Sequence, residues 1–286
     1  MVAPTGKTVV VSGGTDGMGR AVALDRLRRG DTVVVLGSNE AKGRTLQETA
    51  GADASRLRFL RADLSLIAEN ERVIANIADH HRRVDALVLC ANRQSPRRQE
   101  TAEGLEFVFA LYYLSRYLLS YGLRPQFEQA EAPVIVSIAG VGLTAGSIDF
   151  SDLQQTSKYN AIKAQLQAGR ANDLLGVAFA EQAESRARFV MYHPGFTRSG
   201  DVSVLGPVTR TAIRVLAMVG ARSVDKAIAP VLGFLDEPPQ APLTARDRHK
   251  TVPSSLPTLD PERARRLAAH TEALLGRVRG SGEALS

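Results

Sequence analysis

KTVVVSGGTDGMGRAVALDRLRRG, residues 7 to 30, decides how the chain folds. Its start, KTVVVS (7–12), is a short β-branched, apolar run, and a strand is expected there. GMGRAVALDRLRRG follows as a helix that ends at Gly30. Between them Gly13, Gly17 and Gly19 are spaced G-x-x-x-G-x-G. A strand that enters a helix through glycines lets backbone approach a pyrophosphate, and the helix start offers N–H groups and positive dipole. A tight turn with spare glycines gives the same letters. The place of this one, after the first strand and opening the first helix, favours a nucleotide site. Thr15 and Met18 belong to the same loop and join Gly13, Gly17 and Gly19 as expected cofactor contacts.

The same alternation continues. DTVVVLG (31–37), RLRFLRAD (56–63), VDALVLC (84–90), APVIVSIAG (132–140) and ARFVMYHPG (187–195) are expected strands, separated by segments of helical period. A long helix is expected over about 157–182, and another over 260–276. Strand–helix alternation implies a doubly wound, Rossmann-type α/β fold, a parallel sheet with helices on both faces. No repeat or linker divides the chain, so residues 1–286 are expected to form a single dinucleotide-binding and catalytic domain, with 280–286 a loose, disordered tail.

Composition narrows the partners. The 286 residues are 44% hydrophobic and 23% charged, enough for a sizeable core. No stretch of about 20 residues lacks charge, so no integral membrane segment is expected. A strand starting at Lys7 leaves no room for a signal peptide. A lone cysteine, Cys90, fits a reducing, cytoplasmic setting. The net charge of +6 is scattered, with RLRR (26–29) and HHRR (80–83) as solvated helix ends. It suits an anionic cofactor better than nucleic acid, which is not an expected partner. The histidines, His193 included, have no partners at metal-ligand spacing, and no metal is expected.

The end of the second strand bears on which dinucleotide binds. An NAD site usually places a carboxylate there for the ribose 2′-OH. Here the chain runs Leu36-Gly37-Ser38-Asn39, without an acid. Ser38 and Asn39 can hydrogen-bond a 2′-phosphate, and Arg20, Lys42 and Arg44 are nearby cations, although Arg44 fits an exposed helix face better. NADP(H) is favoured, with NAD(H) the alternative.

SKYNAIKAQ (157–165) places Tyr159 and Lys163 four residues apart, on one face of the expected helix. A lysine ammonium one turn from a phenol favours phenolate and lowers its pKa from about 10, which makes a general acid/base. Taken alone, Y-x-x-x-K is common and fits a surface helix. Ser137, which ends the fifth strand, lies on the same carboxyl edge of the sheet as the glycine loop.

SGGTDGMGRAVA, VVVLGSNEAKG, RFLRADLS, VDALVLCAN, EGLEFVFALYYLSRYLL, VIVSIAG, YNAIK and HPGFTRS together resemble the short-chain dehydrogenase/reductase superfamily over residues 7 to 199. The resemblance is greatest to the branch of retinol dehydrogenases, the WW-domain oxidoreductase and protochlorophyllide reductases. It implies that Tyr159 donates a proton to a substrate carbonyl. It further implies that Lys163 binds the nicotinamide ribose and depresses the Tyr159 pKa, and that Ser137 holds the carbonyl oxygen. Asp63 and Leu64 match the adenine-contacting pair, and Pro194, Gly195 and Thr197 match the loop that cradles the nicotinamide. Ala91 and Asn92 fall in the loop after the fourth strand. There Asn92 replaces a glycine, and the loop keeps its shape if Asn92 adopts the left-handed conformation. Cys90 lies near the cofactor as a packing residue.

FALYYLSRYLL aligned with the family's helix pattern puts Tyr112 where a relay asparagine usually stands. The remaining tyrosines, Tyr113, Tyr117 and Tyr121, form an i, i+4, i+8 stripe suited to packing or subunit contact. Family members often dimerise through this helix and that of the catalytic tyrosine, so a homodimer or homotetramer is expected. The apolar segment within about 200–236, including Val202, Val204, Leu205, Val208, Ile213, Val215, Leu216 and Met218, is the expected helical substrate flap. It points to a hydrophobic small-molecule substrate, while Arg210 and Arg214 are expected to face solvent. The expected activity is an NADP-dependent ketone or aldehyde reductase, or alcohol dehydrogenase in reverse. The alternative is a catalytically weak NAD(P)-binding sensor or scaffold, because of Tyr112.

Overall fold

The computed structural model describes residues 6–182, 185–195 and 223–283. Eight strands form one sheet in the order β3-β2-β1-β4-β5-β6-β7-β8. They are β1 (Thr8–Ser12), β2 (Thr32–Gly37), β3 (Leu57–Arg61), β4 (Ala86–Leu89), β5 (Val134–Ile138), β6 (Arg188–His193), β7 (Leu243–Asp247) and β8 (Lys250–Thr251). All pairings are parallel except β7 with β8. The six expected strands are present. The two additional ones lie in the tail, where LTARD carries too many polar residues for a buried-strand pattern.

Helices cover both faces. One carries α1 (Gly17–Arg28), α2 (Glu40–Ala50) and α6 (Val224–Asp236), packed on Val9, Val11, Val33 and Val35. The other carries α3 (Ile67–His80), α4 (107–122), α5 (Ala161–Ala180) and α7 (Pro261–Glu283), packed on Val10, Val34, Leu87 and Ile135. Consecutive residues of β1 are therefore covered from both sides, which is why TVVVS shows no alternation.

Three expectations change here. The part of the expected flap that is described, α6, is a helix seated on the sheet. Ala227, Ile228, Val231 and Leu235 are buried, and Tyr192 Oη donates to Ala227 O at 3.1 Å. The rest of that segment, 200–222, lies outside the described residues. Arg26 is not a solvated helix end but is buried, bridging Asp31 at 2.5 Å and also Asp236. The last helix continues to Glu283, through residues expected to be loose.

The tyrosine stripe is internal. Tyr113 and Tyr117 pack with Leu174 and Leu175 of α5 against Ala264, Leu267 and Ala268 of α7. Tyr113 Oη lies 2.7 Å from Thr271 Oγ1, and Tyr117 Oη donates to Glu272 at 3.4 Å. The chain's own final helix thus covers the face expected to receive a second copy.

Candidate active site and nucleotide cleft

A cleft of about 680 Å³ runs along the carboxyl ends of the parallel strands. Residues that follow β1, β2, β3, β4, β5 and β6 all contribute to it. It straddles the point where the strand order reverses, between β1 and β4. Open parallel sheets bind ligands at this point.

The glycine loop forms one wall. Gly13 has φ of 68°, and its N–H donates to Leu36 O at 2.9 Å. A Cβ on Gly19 would sit 2.4 Å from Gly13 O, so α1 can approach the loop this closely only with glycine there. Asp16 caps α1, accepting from Gly17 N at 2.7 Å. The loop therefore presents backbone and a helix start to the cleft, the fit a dinucleotide pyrophosphate requires.

Of the expected cofactor contacts, Gly13, Thr15, Gly17, Met18, Gly19, Ser38, Asp63, Leu64, Ala91, Asn92, Pro194 and Gly195 line the cleft. Thr197 lies outside the described residues. Asn39 does not line the cleft, because its side chain caps α2 by accepting from Lys42 N at 3.0 Å. Lys42 does line it and is ion-paired with Asp16, which holds that carboxyl below its ordinary range. Arg44 pairs with Glu40 on an exposed face, and Arg20 donates to Thr49. Asn92 does not use the left-handed region. Among the described non-glycine residues only Gln155 and Arg248 have positive φ, and the Asn92 side chain instead accepts from Gln165 at 3.2 Å.

The tyrosine–lysine pair differs most from expectation. Helix α5 begins at Ala161, because Asn160 accepts from both Ile162 N and Lys163 N and so caps it. Tyr159 precedes that cap, and the i, i+4 helix-face relation to Lys163 does not exist. Tyr159 Oη donates to Ser95 O at 2.8 Å, while Lys163 Nζ pairs with Asp149 at 3.3 Å in a half-exposed position. Burial, then the Glu106 carboxylate, pushes the Tyr159 phenol up to about 12. Lys163 is not among the groups that lower it. Neither side chain lines the cleft as it stands.

Ser137 sits in β5, paired with Leu89 of β4 and Met191 of β6, and is buried. Its Oγ accepts from Arg116 Nη1 at 2.8 Å. Arg116 also donates to Ile138 O at 3.0 Å and to Ala91 O at 3.2 Å, and lies 4.7 Å from the centre of the Tyr112 ring. Sequence reasoning did not find Arg116, since an arginine on an amphipathic helix usually faces water. The only available signal was its i, i+4 spacing from Tyr112.

Tyr112 lines the cleft from a widened stretch of α4, the π-helical Ala110–Leu114 between α-helical Phe107–Phe109 and Ser115–Gly122. Ser115 N reaches back to Ala110 O, and Ser115 Oγ takes Leu111 O at 2.6 Å. Asn172 Nδ2 takes Tyr112 O at 2.8 Å. Side chains thus satisfy carbonyls that the widening leaves without their usual donors. Burial raises the Tyr112 pKa, and the Arg116 cation opposes the shift. His193 also lines the cleft, its Nδ1 3.0 Å from Asp247 Oδ1. Cys90 lines it too, its thiol pushed up to about 12 by burial. Among the described residues no cluster of metal ligands occurs, and no helix is long and apolar enough to cross a membrane.

Residues 7–200 match the family model described as short chain dehydrogenase. Retinol dehydrogenase 13 of Homo sapiens is 28% identical over 205 residues, covering 68% of this chain and 60% of that protein. Polyprenol dehydrogenase of Mus musculus is 27% identical over 230 residues, covering 77% and 69%. The chain thus spans about 60% of the length of its retinol dehydrogenase 13 relatives. Among solved structures, a short chain dehydrogenase of Escherichia coli CFT073 complexed with NADPH shares the fold. Its TM-score is 0.64 at 18% identity, over 85% of this chain and 97% of that one. A short chain dehydrogenase of Salmonella enterica gives a TM-score of 0.63 at 20% identity, over 86% and 96%. The chain therefore belongs to the short-chain dehydrogenase family of NAD(P)-binding oxidoreductases, with similarity to its retinol dehydrogenase-like members.

Proposed function

We propose that the chain is an NADP-dependent oxidoreductase that interconverts a hydrophobic ketone or aldehyde and its alcohol within a single domain. The observation that carries this reading is the cleft itself, whose lining combines the glycine cradle with the apolar side chains of Phe107, Leu111, Ile138 and Pro194. The preference for NADP rests on the end of β2, where Ser38 and Lys42 line the cleft and the stretch Leu36-Gly37-Ser38-Asn39 carries no acid, the next one, Glu40, being paired with Arg44 on an exposed face. Two relatives carry the names of isoprenoid alcohols, retinol and polyprenol, which supports a hydrophobic substrate. The lone cysteine supports a reducing, cytoplasmic setting.

A nicotinamide held in this cleft would supply or accept the hydride. Tyr159 exchanges the proton with the substrate oxygen, assisted by Lys163 and Ser137. For that role Tyr159 gives up its bond to Ser95 O, and Lys163 Nζ leaves Asp149. The Lys163–Asp149 pair is exposed and therefore weak, whereas the Tyr159–Ser95 bond is partly buried. A homodimer or homotetramer, expected from the family, would have to form through a face other than the tyrosine stripe, which α7 covers.

The test is Tyr159→Phe. NADPH binding should survive while hydride transfer to a carbonyl panel falls by about 100-fold or more, the usual range for losing a general acid. Wild-type rates in that variant would remove Tyr159 from the chemistry. NADH binding tighter than NADPH would overturn the cofactor choice.

A second reading, a weakly catalytic cofactor-binding protein, is favoured by the separation of Tyr159 from Lys163 and by Tyr112 at the relay position. Rapid turnover by both wild type and Tyr112→Asn would exclude it.

A further inference from the structure

Arg116 is fully buried, and its cation has no carboxylate partner among the described residues. Its Nε has no acceptor there either. A guanidinium stays charged at any ordinary pH, and a buried charge without a counter-ion is unfavourable unless something answers it. Here the answer is partial: two strand-end carbonyls, the Ser137 hydroxyl and the face of the Tyr112 ring.

The position is informative. Both carbonyls belong to residues that line the cleft, Ala91 and Ile138, and Tyr112 lines it as well. The positive charge therefore sits behind the wall formed where β4 and β5 end, and Ile138 there pairs with Tyr192, two residues before Pro194. Lys163, the cation the sequence motif offers for this end, is paired with Asp149 outside the cleft. Arginine can only donate, so Ser137 Oγ accepts from it, while Ser137 itself is buried and does not line the cleft.

We infer that Arg116 is a positioning residue that fixes the redox preference of the cofactor site, favouring the reduced over the oxidised nicotinamide. The inference rests on the NADP reading proposed above. An oxidised nicotinamide ring is cationic and a reduced one is neutral, so a fixed, desolvated positive charge behind the wall repels only the oxidised form. The same charge favours negative charge that builds on a substrate oxygen during carbonyl reduction. Tyr112 belongs to this device. Its ring packs 4.7 Å from the guanidinium and also lines the cleft, cover that the smaller asparagine of the family would not provide.

Calorimetric titration of the full chain with NADPH and with NADP+ tests the inference through the ratio of the two dissociation constants. Wild type should bind NADPH about tenfold more tightly, the size expected for one partly screened charge. Arg116→Met should bring the ratio near one, and Arg116→Lys should keep most of it. Tyr112→Asn, which admits water to the guanidinium, should lower it about threefold, and this variant decides if Arg116→Met does not fold. A wild-type ratio of one or below overturns the inference. So does a folded Arg116→Met or Tyr112→Asn variant that weakens both forms equally, since that is the signature of a purely structural role. If neither form binds to wild type, the cofactor reading itself fails.

Discussion

Two phenols stand near the carboxyl edge of the sheet, and their surroundings differ. Tyr112 faces the cleft with a cation against its ring, whereas Tyr159 is turned to a backbone carbonyl and has no cation beside it. Residues whose role is steric were legible in the sequence. Gly13 and Gly19 lie where the spacing of the loop puts them, because no other residue permits that approach of helix to strand. Gly19→Ala is therefore expected to lower NADPH affinity at least about tenfold and to destabilise the fold by about 1–3 kcal/mol, measurable by titration and thermal melting. Unchanged affinity would mean that the loop is not the cradle. Residues whose role depends on a neighbour distant in sequence were not legible. Arg116 turned inward to Ser137, 21 residues away, whereas Asn39 became a helix cap through a donor only three residues on, Lys42 N. Cys90 gives a test in pH. Burial holds its thiol protonated up to about 12, so iodoacetamide labelling of the native protein should keep rising from pH ~8 to ~10 with no plateau. A plateau near pH ~8.5 would contradict a desolvated thiol.

The buried strands were the most legible elements, since a run such as TVVVS has few other uses. Helix starts were less so. The chain could begin α5 anywhere from residue 157, and a single capping side chain, Asn160, decides for Ala161. Asn160→Ala should cost about 1 kcal/mol, read in a denaturant melt, and loosen the first turn that carries Lys163. Strands β7 and β8 are short and polar, with only Leu243 and Ala245 apolar, and are recognised from their pairing with β6 and with each other. Helix α7 was found in the sequence, but its destination was not. Thr271 and Glu272 meet Tyr113 and Tyr117 across more than 150 residues of chain. Tyr113→Phe should lose about 1 kcal/mol, as expected for one buried hydrogen bond, with cofactor affinity unchanged.

At the scale of the molecule, the strand order places the ends of six parallel strands around one cleft; the parallel sheet was legible from the β-α alternation, the order of its strands was not. What the alternation could not show is that the chain covers its own tyrosine-bearing face. Analytical ultracentrifugation should therefore report the 30.7 kDa monomer, and removing residues 261–286 should expose Tyr113, Tyr117, Leu174 and Leu175 and induce association. A full-length dimer that survives a Tyr117→Arg substitution would show that another face mediates assembly. The central claim, that this cleft performs NADP-dependent carbonyl chemistry, is tested most directly by mixing NADPH-loaded protein with a panel of hydrophobic aldehydes and ketones and following the dihydronicotinamide absorbance. The account predicts loss of that absorbance matched one-for-one by alcohol formed from at least one member of the panel. NADPH that binds tightly yet is consumed with none of them would contradict it.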